Sequence, residues 1–144
     1  NTYRIVNEYN KAILDYSSAI RLDSGTANYY SNRGQSYRKI GKPQVALNDF
    51  EAALALEPGN TSLFFHRGMA FYDCGLYQKA IKDFTTALKD KKFTYRAYYN
   101  RGNCYRRLKQ LDQSIDDLSQ ALNLEPRNPS AHNNLGLSFF ENKN

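Results

Sequence analysis

The sequence predicts an all-α fold, a solenoid of antiparallel helical hairpins, on three observations. Gly34, Gly68, Gly102 and Gly136 follow one another at a 34-residue step. Aromatic rings and small residues hold fixed places around those glycines through the chain. Apolar residues between them recur at helical spacing, so each repeat reads as two helices.

The first helix of each hairpin is set by the glycine and its rings. Tyr30, Phe64, Tyr98 and His132 stand before it, and Tyr37, Phe71, Tyr105 and Phe139 stand after it, with Tyr3 one period earlier. A residue without a side chain lets two helices approach closely, and the rings fill the space beside it. His132 is expected to pack in place of the ring it replaces. These first helices are expected near 27–40, 61–74, 95–108 and 129–142. The second helix carries Ala12, Ala46, Ala80 and Ser114, then Tyr16, Phe50, Phe84 and Leu118, then Ala19, Ala53, Ala87 and Ala121. Ile13, Leu47, Ile81 and Ile115 with Ile20, Leu54, Leu88 and Leu122 extend its apolar stripe. Second helices are expected near 8–22, 44–56, 78–90 and 112–124, with residues 1–6 closing a truncated helix. Pro58 and Pro126 stop two of them, and Lys92 stands between at the same place. Gly41 and Gly75 sit where a first helix must turn. Lys109 occupies that place in the third unit and implies a different or strained turn.

These residues resemble the tetratricopeptide repeat family, a 34-residue helix–turn–helix pattern, over essentially the whole chain. The resemblance implies a right-handed α-solenoid. Full repeats span 27–60, 61–94 and 95–128, with a partial repeat at 1–26 and the first helix of a further one at 129–144. No internal domain boundary is expected, because each hairpin buries its stripe only against its neighbours.

Arg33, Arg67 and Arg101 precede three of the glycines, and Asp15, Asp49, Asp83 and Asp117 recur in the second helices. Fixed register of opposite charge points to ion pairs, within a hairpin or to the preceding one, since a guanidinium fork meets a carboxylate through two hydrogen bonds.

In the resembled family the first helices line a concave groove that holds an extended segment of another protein. The groove places here hold Asn32, His66, Asn100 and Asn134 as one row and Gln35, Met69, Asn103 and Leu137 as the next. Asn28, Ser31, Arg38, Phe65, Tyr72, Arg96, Tyr99 and Arg106 lie beside them. A side-chain amide offers a donor and an acceptor, which suits a peptide backbone. Arg38, Arg96 and Arg106, with Arg107 beside them, add positive charge, and Phe65, Tyr72 and Tyr99 add rings. Together they suit an acidic segment with an apolar anchor. The candidate peptide-binding set is therefore Asn32, Gln35, Arg38, Phe65, His66, Met69, Tyr72, Arg96, Tyr99, Asn100, Asn103, Arg106 and Asn134. Only Asn and scattered Arg match the clamp with which some members hold a chaperone tail, so no such clamp is expected.

The remaining composition narrows the function. Net charge is +6, which favours acidic partners without choosing among peptide, nucleic acid and membrane surface. Two histidines, with no phosphate loop, metal spacing or nucleophile elbow, argue against an enzyme and against a cofactor or metal. Cys74 and Cys104 read as small apolar residues. Two cysteines make no disulfide framework, so a reducing compartment, the cytoplasm, is expected. No apolar run approaches the ~18 residues that cross a bilayer. The missing initial Met suggests a piece of a longer protein. The expected function is a protein-interaction scaffold. The alternative is a spacer or self-associating segment of a longer solenoid, and nucleic-acid binding comes third. The last helix keeps Leu135, Leu137, Phe139 and Phe140 with nothing following to cover them, which suggests end-to-end self-association.

Overall fold

The computed structural model describes residues 2–143, with side chains from residue 4 onward. Tyr3, first in the ring series by spacing, has its side chain outside the described residues. Eight helices follow in order: α1 Thr2–Leu22, α2 Ala27–Lys39, α3 Pro43–Leu56, α4 Thr61–Asp73, α5 Tyr77–Ala87, α6 Thr94–Arg107, α7 Leu111–Leu124 and α8 Pro129–Asn142. Each packs on the next, and the first helices α2, α4, α6 and α8 also touch in sequence.

Close approach within each hairpin depends on the repeated glycine. A Cβ on Gly68 would lie 2.9 Å from a ring carbon of Phe84, and one on Gly102 would lie 3.0 Å from Leu118 Cγ. Phe50, Phe65, Phe84 and Leu118 are fully buried there. Two of the three turns between paired helices use a left-handed glycine, Gly41 at φ 76° and Gly75 at φ 74°. Each is closed by a backbone N–H one residue on: Lys42 to the Tyr37 carbonyl and Leu76 to the Phe71 carbonyl, both 2.9 Å.

Lys109 takes the same turn rather than a different one. Its φ is 59°, and Gln110 N donates to the Tyr105 carbonyl at 2.9 Å. A left-handed non-glycine residue costs about 1–2 kcal/mol, partly offset by the extra freedom glycine has when unfolded. Lys109→Gly is therefore expected to raise stability by about 1 kcal/mol, read as a higher urea midpoint at unchanged slope. The lost contact of Lys109 Nζ with Glu141, 2.7 Å long on a side chain 74% exposed, should count for little.

Three expectations are corrected. The N-terminal residues do not close one helix and open another: α1 runs unbroken from Thr2 to Leu22. Asn7, Glu8 and Tyr9 stand where Gly41, Lys42 and Pro43 turn the chain, so neither a glycine nor a proline interrupts it. Next, α5 stops at Ala87 rather than near residue 90. Asp90 organises the following turn, accepting from Lys92 N at 2.9 Å and from Thr61 Oγ1 at 3.2 Å. That turn drives Phe93 into the core, 3% exposed. Finally, His132 is exposed. Its Nε2 meets the Pro126 carbonyl at 2.8 Å, a local polar contact in place of packing.

The charge series resolves into three equal units within hairpins. Arg33 meets Asp49 at 2.9 and 2.6 Å, Arg67 meets Asp83 at 2.7 and 2.8 Å, and Arg101 meets Asp117 at 2.7 and 2.8 Å. The hydrogen bond to aspartate raises each arginine's pKa further. A third nitrogen reaches the preceding second helix, Arg33 Nη1 to Ser17 Oγ at 3.0 Å and Arg101 Nη1 to Thr85 Oγ1 at 2.9 Å. Each guanidinium also lies over rings of its own helix, such as Phe64 and Phe71 around Arg67 at 5.4 and 5.5 Å. The three arginines hold the array together and are committed to it.

Candidate functional site

The contiguous face of α2, α4, α6 and α8 gathers the groove residues, but the structure divides them sharply. A series of contacts joins each first helix to the next, always 35 residues on. Arg38 Nη1 meets Asp73 at 2.9 Å, and Arg106 Nη1 meets Glu141 at 2.9 Å. Between them Tyr72 is hydrogen-bonded to Arg107. Hydrogen bonds from Lys109 and Arg106 hold the Glu141 carboxyl below its usual range. Arg38 and Arg106 therefore carry charge that is already matched. Each keeps one buried nitrogen, Nε, without a hydrogen-bond partner.

The α6–α8 end is similarly occupied. Asn134 Nδ2 donates to Asn103 Oδ1 at 2.8 Å and to the Tyr99 hydroxyl at 3.0 Å. Asn103 is only 7% exposed. Asn103, Asn134 and Tyr99 thus bind one another before they bind anything else. Met69 and Tyr72 are half-buried against the core.

Phe65 does not offer a ring to a ligand, because it is 0% exposed. It stacks on Phe93 at 4.8 Å, and Arg96 covers it at 4.6 Å from the ring centroid. His66 completes this aromatic floor, 5.5 Å from Phe65, 6.2 Å from Phe93 and 6.3 Å from Phe50. Burial first, then the charges of Arg38, Arg96 and Lys92, pulls the His66 pKa from 6.5 down to about 4. Lys92 sits over Phe93 at 5.6 Å. The ion pairs of the described residues take in Arg4, Arg33, Arg38, Arg67, Arg101, Arg106 and Lys109 but neither Lys92 nor Arg96. What remains is a basic spot, Lys92 and Arg96, over an aromatic floor. Asn32 and Gln35 lie half-buried on α2, and Asn100 lies half-buried on α6. Asn100 donates to the Arg96 carbonyl of its own helix at 2.7 Å.

The low His66 pKa has a pH consequence. The unfolded chain takes up this proton first, so the contribution is complete above pH 6.5 and is lost as pH falls toward 4. The loss is on the order of 3 kcal/mol. His66→Phe should be spared it, so unfolding at pH 7 and pH 4 should show the parent losing more stability than the variant. Equal losses would contradict this assignment.

Lys92 and Phe93 were not legible as site residues. Their places in neighbouring units hold Pro58 and Gly59, or Pro126 and Arg127, so no repeat signal marks them. Burial pushes the Cys104 thiol up to about 12, with Asp117 adding to the effect, and burial also raises Cys74. Neither is primed as a nucleophile. Two surface cavities, of about 480 and 500 Å³, lie at the 125–129 loop and on α1, away from this face. Among the described residues no helix is long and apolar enough to cross a membrane.

Comparison with known proteins accords with the geometry. The chain matches a TPR repeat model over residues 1–41 and 102–143 and a tetratricopeptide repeat model over 31–90 and 66–122. No curated protein sequence matches significantly. Among solved structures, MamA from Desulfovibrio magneticus RS-1 is similar at TM-score 0.90 and 20% identity, over 99% of this chain and 81% of that one. The first TPR of Spaghetti (RPAP3), bound to the HSP90 peptide SRMEEVD, is similar at TM-score 0.77 and 26% identity, over 85% and 97%. The second TPR domain of human RPAP3, in complex with the HSP70 peptide SGPTIEEVD, is similar at 0.70 and 28%, over 76% and 91%. With its period, its glycine-centred hairpins and family models that together span nearly its whole length, the chain belongs to the tetratricopeptide repeat family.

Proposed function

We propose that this chain is a scaffold that holds an extended, acidic peptide segment along the face of its first helices. The observation that carries this reading is the pair Lys92 and Arg96, outside the ion pairs of the array and set over the Phe65–His66–Phe93 floor. A carboxylate there meets positive charge close to apolar surface, where the interaction is least screened. Asn32, Gln35 and Asn100 supply amide groups on the neighbouring turns for a peptide backbone. The two RPAP3 domains bind peptides ending in EEVD, which supports the peptide class. It does not extend to a chaperone-tail clamp, because Ser31, Gln35, Ser62 and His66 stand at places where such a clamp needs other groups.

Six of the arginines are paired with carboxylates, and over the aromatic floor Lys92 and Arg96 form a spot rather than the basic stripe that a phosphate backbone needs. A non-enzymatic role in a reducing compartment, such as the cytoplasm, fits the two free thiols with raised pKa.

Fluorescence anisotropy tests the charge assignment with a labelled nine-residue peptide rich in Glu and Asp, and with its Gln/Asn counterpart. The acidic peptide should bind more tightly, and salt should weaken it. Arg96→Glu should weaken it by about tenfold or more. Equal affinity for both peptides, or binding indifferent to Arg96→Glu, would overturn the assignment.

A further inference from the structure

We propose that Asp73 is an internal competitor for the ligand: an acidic side chain of the bound segment displaces it from Arg38 while another meets Lys92 and Arg96, so the ligand carries acidic residues at separate places along its length. This inference rests on the peptide reading above and narrows the class of peptide.

The carboxylates that pair with arginines beyond α1 are not held alike. Asp49, Asp83 and Asp117 each take two hydrogen bonds from the fork of their arginine, through Nε and Nη2. Their side chains are only 6 or 7% exposed. Glu141 is held by two cations, Arg106 at 2.9 Å and Lys109 at 2.7 Å. Asp73 meets Arg38 through Nη1 alone, at 2.9 Å, and its side chain is 33% exposed. It is the last residue of α4, so it can turn into solvent without disturbing the core. A partly exposed pair with one bond contributes little to the fold, and its carboxylate is the one most easily exchanged.

Arg38 has more to offer than Asp73 uses. Its Nε is buried and lacks a hydrogen-bond partner. A carboxylate that met Nε and a terminal nitrogen together, as the hairpin aspartates do, would make the stronger two-bond contact. Arg38 also acts on the proposed site. After burial, its charge does most to hold down the His66 pKa, ahead of Arg96 and Lys92. All three cations thus act on one side chain of the aromatic floor, and Arg38 is the one of them in an ion pair. Arg38 lies on α2 and Arg96 on α6, with α4 between them. An extended segment crossing α4 passes both, so two separated acidic residues can reach the two places at once.

Fluorescence anisotropy tests this with three labelled nine-residue peptides: one rich in Glu and Asp, one keeping a single Glu, and the Gln/Asn counterpart. Asp73→Ala should bind the multiply acidic peptide about three- to fivefold more tightly than the parent and leave the single-Glu peptide nearly unchanged. Asp73→Asn, which keeps the shape of the side chain, should move in the same direction. Asp116→Ala removes the same charge from an exposed place on α7 and should give no gain. Arg38→Gln should weaken the multiply acidic peptide, and in the Asp73→Ala chain it should abolish the gain. Helical signal and urea midpoint check that each variant is folded. If the parent prefers acidic peptides but both Asp73 variants bind them no more tightly, the competitor assignment fails and the peptide reading stands. An equal gain in Asp116→Ala, or a gain that survives Arg38→Gln, overturns it in the same way. If neither the parent nor any variant prefers acidic to neutral peptides, the peptide reading fails and this inference falls with it.

Discussion

Asp117→Ala is expected to cost the array about 3 kcal/mol, the lower end of what breaking a buried ion pair costs. Asp117 and Arg101 are 7% and 16% exposed at their side chains, and the two hydrogen bonds between them are 2.7 and 2.8 Å. Removing the carboxylate leaves a guanidinium sandwiched between Tyr98 and Tyr105 with its charge unmatched. Asp15, at the same place in α1, is exposed. Asp15→Ala should therefore change stability by no more than about 0.5 kcal/mol. Replacing both members of the buried pair, Arg101→Met with Asp117→Leu, should recover most of the loss, because two apolar side chains need no partner. Urea unfolding of the four variants checks this. A small cost for Asp117→Ala would mean that the repeated charge pair is ornamental.

The second large effect separates two glycines that look identical in sequence. Gly68→Ala puts a methyl group 2.9 Å from the Phe84 ring and 3.2 Å from Asp83 Cβ. Phe84 is 0% exposed and cannot step aside, so α4 must move off α5 and strain the Arg67–Asp83 fork. A loss of about 2–3 kcal/mol is expected. Gly136→Ala meets open space within a helix, where alanine is favoured over glycine by up to about 1 kcal/mol. The same substitution should thus destabilise at one repeat and stabilise at another, read from urea midpoints. A loss at both positions would show that something covers Gly136.

Much of the architecture was legible because a repeat states each contact several times. The glycine, its rings and the second-helix alanines recur at one step, so the hairpins and the Arg–Asp pairs could be read before any coordinates. What could not be read departs from that step. The contacts Arg38–Asp73, Tyr72–Arg107 and Arg106–Glu141 join residues 35 apart, one beyond the period, so equal places in the repeat do not reveal them. Two arginines that looked available to a ligand are consequently matched within the array. Phe65 looked like groove surface because neighbouring repeats place Ser31 and Tyr99 there. It is buried because Phe93 enters from the α5–α6 turn, and only the third dimension shows that. The unbroken α1 departs from the period for the opposite reason: periodicity marks a turn at residues 7–9 where the local sequence supplies nothing to make one.

A peptide site on this face is tested by panning a library of disordered-protein peptides against the chain and against a variant carrying Asn32→Ala, Arg96→Ala and Asn100→Ala. The side chains changed are half-buried or exposed on α2 and α6; Arg96 lies over the buried Phe65 ring, so the variant's helical signal and urea midpoint are checked first. The parent should enrich peptides sharing an acidic motif, and the variant, folded by its helical signal, should lose them. Enrichment that persists unchanged in the variant, or none in the parent, would contradict a peptide site on this face.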